Sequence, residues 1–492
     1  MKKMIFATSL VSAIAFPSCT EHATQKEKPS VPNILFIISD DQRADAMGCA
    51  GNPYIRTPHL DQLAENGIQF GNTYVMGGHH GAICAPSRAM LLSGKSLFNV
   101  YDRLEGIETM PMRFRENGYI TFGTGKWHNE KSAFEAGFQH GKNIFLGGMG
   151  DHFHLACRDM QADGTLSEAE MRGFSTDLFA GSTIDFLHEY ASGNHNNPFF
   201  CYVSFTVPHD PYSPRDDYID MYPSDGLPLP GNFMPLHPFQ FDPLTIRDEN
   251  LAPWPRTPEV VRAALADYYA LISHMDKKIG EIIDVLKKHG LFENTIIVFT
   301  SDNGLAIGSH GLLGKQNLYE HSTKVPLIIS GPGIPKGEVS DALVYLFDLY
   351  PTLAELCGIP VPDGIDGISL QPLVNGQSTD IRSSLFTAYR HTIRAVRTKE
   401  WKLIRYPERD FTQLFNLEKD PEELNNLAQQ QEWMEKSQEL WQLLARWQAA
   451  ANDTAPLTAE KILPMEYDHT LLERRPDRWQ PEYVLKKYFA PD

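Results

Sequence analysis

The chain has 492 residues, a hydrophobic content of 42% and a formal net charge of −18, with a pI near 5.4. That length supports a large buried core and exceeds the usual single-domain range, so a major domain with a smaller companion is expected. The acidic balance argues against nucleic acid as a partner, because neutralising phosphates takes clustered Lys and Arg; an anionic substrate would need a local cationic pocket that works against the overall field.

At the N-terminus Lys2 and Lys3 precede an apolar run from Met4 to Phe16 and then Ser18-Cys19. This matches a bacterial secretory signal over residues 1–19 and predicts an exported protein. Cys19 offers a lipid anchor, the single membrane contact the sequence predicts. Phe16-Pro17-Ser18 is a loose lipobox, so ordinary cleavage with periplasmic release stands beside lipidation. The run is too short for a transmembrane helix, and the polar residues 20–30 read as a tether. The six cysteines, at 19, 49, 84, 157, 201 and 357, show no metal pattern and no disulfide framework and read as free thiols, with Cys201 in the core.

Asn33 to Ile38 is a continuous apolar segment ending in Ser39-Asp40-Asp41, the pattern of a strand buried on both faces with carboxylates at its C-terminal edge. A helical pattern follows at Leu60 to Asn66. Cys84-Ala85-Pro86-Ser87-Arg88 then leads into the small and apolar run Ala89 to Gly94. Pro86 suits the first turn of a helix, which puts Cys84 at a helix N-terminus. Such an end favours a bound anion, and Arg88 one turn on adds a fixed cation. Gly125-Lys126-Trp127-His128 follows the segment Tyr119 to Gly123, and Pro208-His209-Asp210-Pro211 closes a strand that starts at Pro198.

Ser213 to Trp254 is rich in Pro and Asp and has little periodicity, which predicts a loop shaping the approach to a site. Pro258 to Leu286 carries apolar residues at helical spacing and predicts a long amphipathic helix covering the sheet. Thr295 to Thr300 is another apolar strand, ending at Asp302-Asn303-Gly304, and Gly314-Lys315-Gln316-Asn317 follows in a loop. After about Asp380 the segments 385–389, 393–396 and 401–404 read as short strands, and Pro421 through Trp447 reads as a helix. Strands alternating with helices, with polar residues at strand ends, define an α/β fold. Asp40, Asp41, Asp302 and Asn303 can then converge as hard oxygen ligands for calcium or magnesium.

These motifs together resemble type I sulfatases of the alkaline phosphatase superfamily, from Asn33 to about Leu427, with five separated motifs in the expected order. The resemblance implies a mixed central sheet between helices in a catalytic domain over 31–380. It also implies a smaller C-terminal α+β subdomain over 381–492, an antiparallel sheet with a packed helix. Cys84 would be oxidised to formylglycine by a maturation enzyme; one hydroxyl of the hydrated aldehyde attacks sulfur, and the other loses a proton to expel sulfate. The metal set becomes Asp40, Asp41, Cys84, Asp302 and Asn303, with calcium ahead of magnesium. Alongside Arg88, His128 would deprotonate the spare hydroxyl, Lys126 would stabilise the oxyanion, His209 would protonate the departing oxygen and Lys315 would bind a sulfate oxygen.

His310, His152, His154 and Arg390 are expected as further pocket residues. Export suggests a sulfated saccharide substrate, drawn from glycosaminoglycan, mucin or algal glycan. Aryl and choline sulfates are alternatives, as is phosphonate monoester or phosphodiester hydrolysis, since related enzymes share the metal ligands and the modified cysteine. A non-catalytic glycan-binding relative is disfavoured, because every motif position is filled by a competent residue.

Overall fold

The computed structural model describes Met1 and residues 31–193, 195–472 and 475–489. The secretory signal, the tether and Cys19 lie outside the described residues. The predicted strand is present as Asn33–Asp40 and is buried along its whole length. Its side chains alternate between two cores: Ile34, Phe36 and Ile38 enter one, and Leu35 and Ile37 enter the other. A strand buried on both faces gains nothing from a polar side chain until it ends, so Asp40 marks where the core stops.

This strand lies inside an eight-stranded sheet. The order is Glu338–Ser340, Gly67–Phe70, Leu327–Ser330, Thr295–Ser301, Asn33–Asp40, Phe199–Pro208, Ile120–Lys126 and His140–Phe145. Leu327–Ser330 runs antiparallel to both of its neighbours, and the other pairings are parallel. The expected mixed α/β sheet flanked by helices is therefore observed. Ser39 pairs with Ser301 and Asp40 with Pro208, so Asp40, Asp302 and His209 come off neighbouring strands at one edge.

The amphipathic helix spans Pro258–Lys288; Thr257 caps it by accepting the Val260 N–H, with Pro258 in the first turn and Lys287 and Lys288 in the last. Its apolar stripe, including Ile272, Ile279 and Leu286, packs with the Ser175–Ser192 helix and the Phe199 strand. The Ser213–Trp254 stretch is packed rather than loose: short helical turns at Asp216–Ile219, Ser224–Gly226, Asp242–Thr245 and Arg247–Asn250 bury Tyr218, Tyr222, Phe239, Phe241 and Leu244.

Beyond residue 381, Leu385–Tyr389, Ile393–Arg397, Trp401–Tyr406 and Phe411–Asn416 form an antiparallel sheet. Gly77–Gly78 joins its edge in parallel, pairing with Ala388 and Tyr389. Gly77 sits at φ 108°, where a Cβ would lie 2.0 Å from the Ala388 carbonyl oxygen, so only glycine permits this pairing. The helix expected from Pro421 begins later, as Met434–Ala450 after a short turn at Gln431–Trp433. Side chains compete for the backbone upstream: Asp420 accepts the Leu424 and Asn425 N–H groups, and Asn426 bonds across to Leu414 N and Thr412 O. Among the described residues Cys49, Cys84, Cys157, Cys201 and Cys357 are free thiols, and no helix is long and apolar enough to cross a membrane.

Candidate active site

Cys84 opens the helix Cys84–Ser93, every residue of which is buried. Its Sγ lies 3.4 Å from Asp40 Oδ1, 3.5 Å from Asp41 Oδ1 and 3.0 Å from Lys315 Nζ. Lys126 Nζ donates to Asp40 Oδ2 at 2.6 Å and Lys315 Nζ to Asp41 Oδ2 at 2.5 Å. Each lysine thus holds one carboxylate of the pair. Burial, with Asp302 and Asp41 nearby, raises the Cys84 thiol well above its ordinary value. An unmodified Cys84 is therefore a protonated thiol, a poor nucleophile and a poor metal ligand.

Arg88, four residues on and fully buried, binds three elements at once. Its Nε donates to Asp302 Oδ2 at 2.8 Å, and its Nη1 to the Lys126 carbonyl at 2.9 Å and to Ser204 Oγ at 2.6 Å. Arg88, with Lys126 and Lys315, holds the Asp302 carboxyl down at about 2 against the upward push of burial. Asp302 Oδ1 in turn accepts the Asp41 N–H at 3.1 Å, and Ser87 Oγ donates to the Asp302 carbonyl at 2.6 Å. The spacing that put Arg88 one turn from Cys84 thus ties the helix to the strand edge.

Lys126 reaches this edge through a bulge. The strand shifts register between Gly123 and Gly125, and Gly125 sits at φ 91° with its Cα against the Ser204 carbonyl, where a Cβ would lie 1.8 Å from that oxygen. His128 follows at φ 61°, with Nδ1 buried and unpartnered. Burial first, then the charges of Lys126 and Arg88, push its ring down to about 2, so it is neutral.

One ligand atom each from Asp40, Asp41, Cys84 and His209 lies within 4.8 Å of the others. The two carboxylates of this set suit a hard divalent cation. Burial, then repulsion from Asp302, raises Asp40 to about 6, a crowding of negative charge that a dication relieves. Asn303 is adjacent and buried, and its Nδ2 has no partner; turning the amide over presents an oxygen instead. The residues present therefore fit a metal: of the five the sequence suggested, Asp40, Asp41 and Cys84 lie in the cluster with His209, while Asp302 stands beside it, bound to Arg88 and the Asp41 N–H.

His209 Nε2 lies 3.6 Å from Asp41 Oδ2, and its Nδ1 lies 2.8 Å from the Asp210 carbonyl oxygen and 3.2 Å from Asp210 Oδ1. Burial, then Lys315, Lys126 and Arg247, hold the ring well below its ordinary value. His152 is corrected from a substrate contact to a support: it is buried behind His209, with Nε2 2.9 Å from the His209 carbonyl and Nδ1 3.2 Å from Thr206 Oγ1. His154 is largely exposed and pairs with Asp151 at 3.5 Å. Arg390 is partly exposed, bound to Asp242 at 2.7 Å and close to Gly81, whose carbonyl accepts from Gln316. It thus sits beside Gly81, three residues before Cys84 in the chain.

His310 is likewise corrected. It is buried and stacked on Tyr319 with centroids 4.0 Å apart, beside His321, and the turn around Gly311 packs on the Leu236–His237 backbone. Burial holds His310 at about 4 and His237, across Tyr319, at about 3, both below the ordinary 6.5. A histidine depressed in the folded state gives stability that is complete above its unfolded value and is lost as pH falls. The melting temperature is accordingly expected to drop between pH 7 and pH 4, and the drop to shrink in His310→Phe, which keeps the stack. A melting temperature that is flat across that window would count against these buried neutral rings.

The sequence offered no role for Asp210, Arg247, Asp477 or Gln480, which the structure gathers behind His209. Arg247 lies in the aperiodic Pro-rich stretch, and Asp477 and Gln480 come from the C-terminal tail. Their pairing is across 37 to 270 positions, beyond any local pattern.

A family model described as Sulfatase matches residues 32–359, more than half of the chain. A second, N-sulphoglucosamine sulphohydrolase, C-terminal, matches 308–450. The chain is 28% identical to an N-acetylglucosamine-6-O-sulfatase of Bacteroides thetaiotaomicron over 94% of each protein. It is 30% identical to an arylsulfatase of Clostridium perfringens, over 84% of this chain and 94% of that one. A structure solved in complex with its substrate, D-glucosamine-2-N,6-O-disulfate, matches with a TM-score of 0.72 at 26% identity, covering 87% of this chain and 100% of the other. The chain belongs to the sulfatase family. It is a sulfuric ester hydrolase.

Proposed function

We propose that this protein removes sulfate from carbohydrate fragments outside the cytoplasm, as a periplasmic or lipid-anchored enzyme. The carrying observation is Cys84 Sγ at a helix N-terminus, sealed between the Asp40 and Asp41 carboxylates with Lys315 3.0 Å away. The relatives that act on sulfated glucosamine support the sugar, and the apolar N-terminal run supports export. Oxidised to formylglycine by a maturation enzyme, residue 84 supplies a hydroxyl nucleophile. A calcium ion on Asp40, Asp41, Asp302 and Asn303 supplies charge neutralisation at the sulfate.

The chain's own residues divide the remaining work. Lys126 and Lys315 bind sulfate oxygens, and Arg88 fixes Asp302 and the Lys126 backbone beneath them. His128, neutral, accepts a proton beside residue 84. His209 faces the ester with Nε2 and is the group that gives a proton to the departing sugar oxygen.

The test is sulfate release from defined sulfated mono- and disaccharides, glucosamine 6-sulfate included, before and after exhaustive chelation. Removing the cation is expected to lower release by about 100-fold or more, restored by calcium. Undiminished release after chelation would remove the metal from this reading, and release from aryl sulfates alone would remove the sugar.

A further inference from the structure

Residues 451–489 lie beyond both family models, which end at 359 and 450, yet this tail returns to the strand edge. Asp210, the residue after His209, is buried, and its carboxylate is held from two sides. Arg247 binds it with both terminal nitrogens, Nη1 to Oδ1 at 2.9 Å and Nη2 to Oδ2. Gln480 Nε2 donates to Asp210 Oδ2 at 2.6 Å. Asp477 closes the ring: its Oδ2 accepts Arg247 Nε at 3.0 Å and lies 3.5 Å from Gln480 Nε2. Asp248 joins through Arg247 Nη1 at 3.0 Å and takes Gln316 Nε2 at 2.7 Å, linking this cluster to the loop that carries Lys315. Asp477 and Gln480 are both buried.

We infer that the C-terminal tail positions the leaving-group histidine: Asp477 and Gln480 fix Arg247 and the Asp210 carboxylate, which orients the His209 ring through Nδ1 and keeps Nε2 toward the ester. The inference rests on the role of His209 given above. Nδ1 sits between two Asp210 oxygens, 2.8 Å from the carbonyl and 3.2 Å from Oδ1, so the angle of that carboxylate sets the angle of the ring. A buried carboxylate that lost one of its donors would turn toward the remaining one, carrying its contact to the ring with it. Asp210, Asp477 and Gln480 are positioning residues; none touches the reacting atoms.

Proton donation matters in proportion to how poor the leaving group is. A sugar alkoxide needs it and a nitrophenolate does not. Gln480→Ala and the isosteric Gln480→Glu are therefore expected to lower kcat on a sugar sulfate by about ten-fold, with KM within about two-fold, and to leave 4-nitrophenyl sulfate hydrolysis within about two-fold of wild type. Asp477→Asn should behave alike. An equal fall on both substrates in variants that melt at the wild-type temperature would overturn the positioning role, and so would unchanged kcat on the sugar sulfate. His209→Ala is the control: if it fails to separate the two substrates, the role of His209 itself is wrong, whereas a separation by His209→Ala but not by the tail variants defeats this inference alone.

Discussion

Replacing Cys84 with alanine is expected to lower sulfate release by about 10⁴-fold or more while leaving the fold in place, because it removes the Cβ–S bond whose oxidation turns Cβ into the aldehyde that carries the nucleophile. The side chain is small and sits at the first position of a helix whose other contacts remain: Ser87 to the Asp302 carbonyl and Arg88 to Asp302. Lys315 keeps Asp41. Serine in place of Cys84 separates two maturation routes, since turnover survives if the modifying enzyme accepts serine and vanishes if it does not. The readouts are sulfate released and the mass of the peptide carrying residue 84. Appreciable release by the alanine variant would sink covalent catalysis.

Arg88→Met should lower the free energy of unfolding by about 3–5 kcal/mol, because it strands a fully buried carboxylate. Arg88 and Asp302 are both inaccessible to solvent, and the guanidinium also holds Ser204 and the Lys126 carbonyl. Three backbone segments therefore lose a common partner at once. Adding Asp302→Asn to Arg88→Met should recover at least about 1 kcal/mol, as the stranded charge is removed. Urea titration of the single and double variants checks both values. A single variant within 1 kcal/mol of wild type would mean that Lys126 and Lys315 suffice for Asp302.

The strand edge was legible in the sequence because a strand buried on both faces must be apolar until it stops. Asp40, Asp302 and His209 each stood out as the first charged or imidazole side chain after such a run. Pro86 and Arg88 gave the helix start and its anchor in the same way. His310 and His152 were misread because a glycine-rich flank says nothing about which way a ring turns. Only packing against Tyr319, or behind His209, decides it. The late start of the Met434 helix was hidden for another reason: Asn426 has helix-compatible neighbours, and its bonds to Leu414 and Thr412 depend on a strand that lies upstream. The tail contacts to Asp210 depend on the whole fold being closed.

Gly77–Gly78 lies just ahead of Cys84 in the chain and pairs with Ala388 and Tyr389, which follow some three hundred residues later. A ribosome therefore delivers the cysteine long before it delivers the strand that Gly77 and Gly78 pair with. In the folded chain Cys84 is 2% accessible, and the segment just ahead of it, Gly77–Gly78, is held in a sheet. On the maturation proposed above, the interval between the two events would be the time a modifying enzyme has to work on an extended chain. Changes that speed closure around Gly77 would shorten this interval and lower the modified fraction, with no residue of the finished site altered.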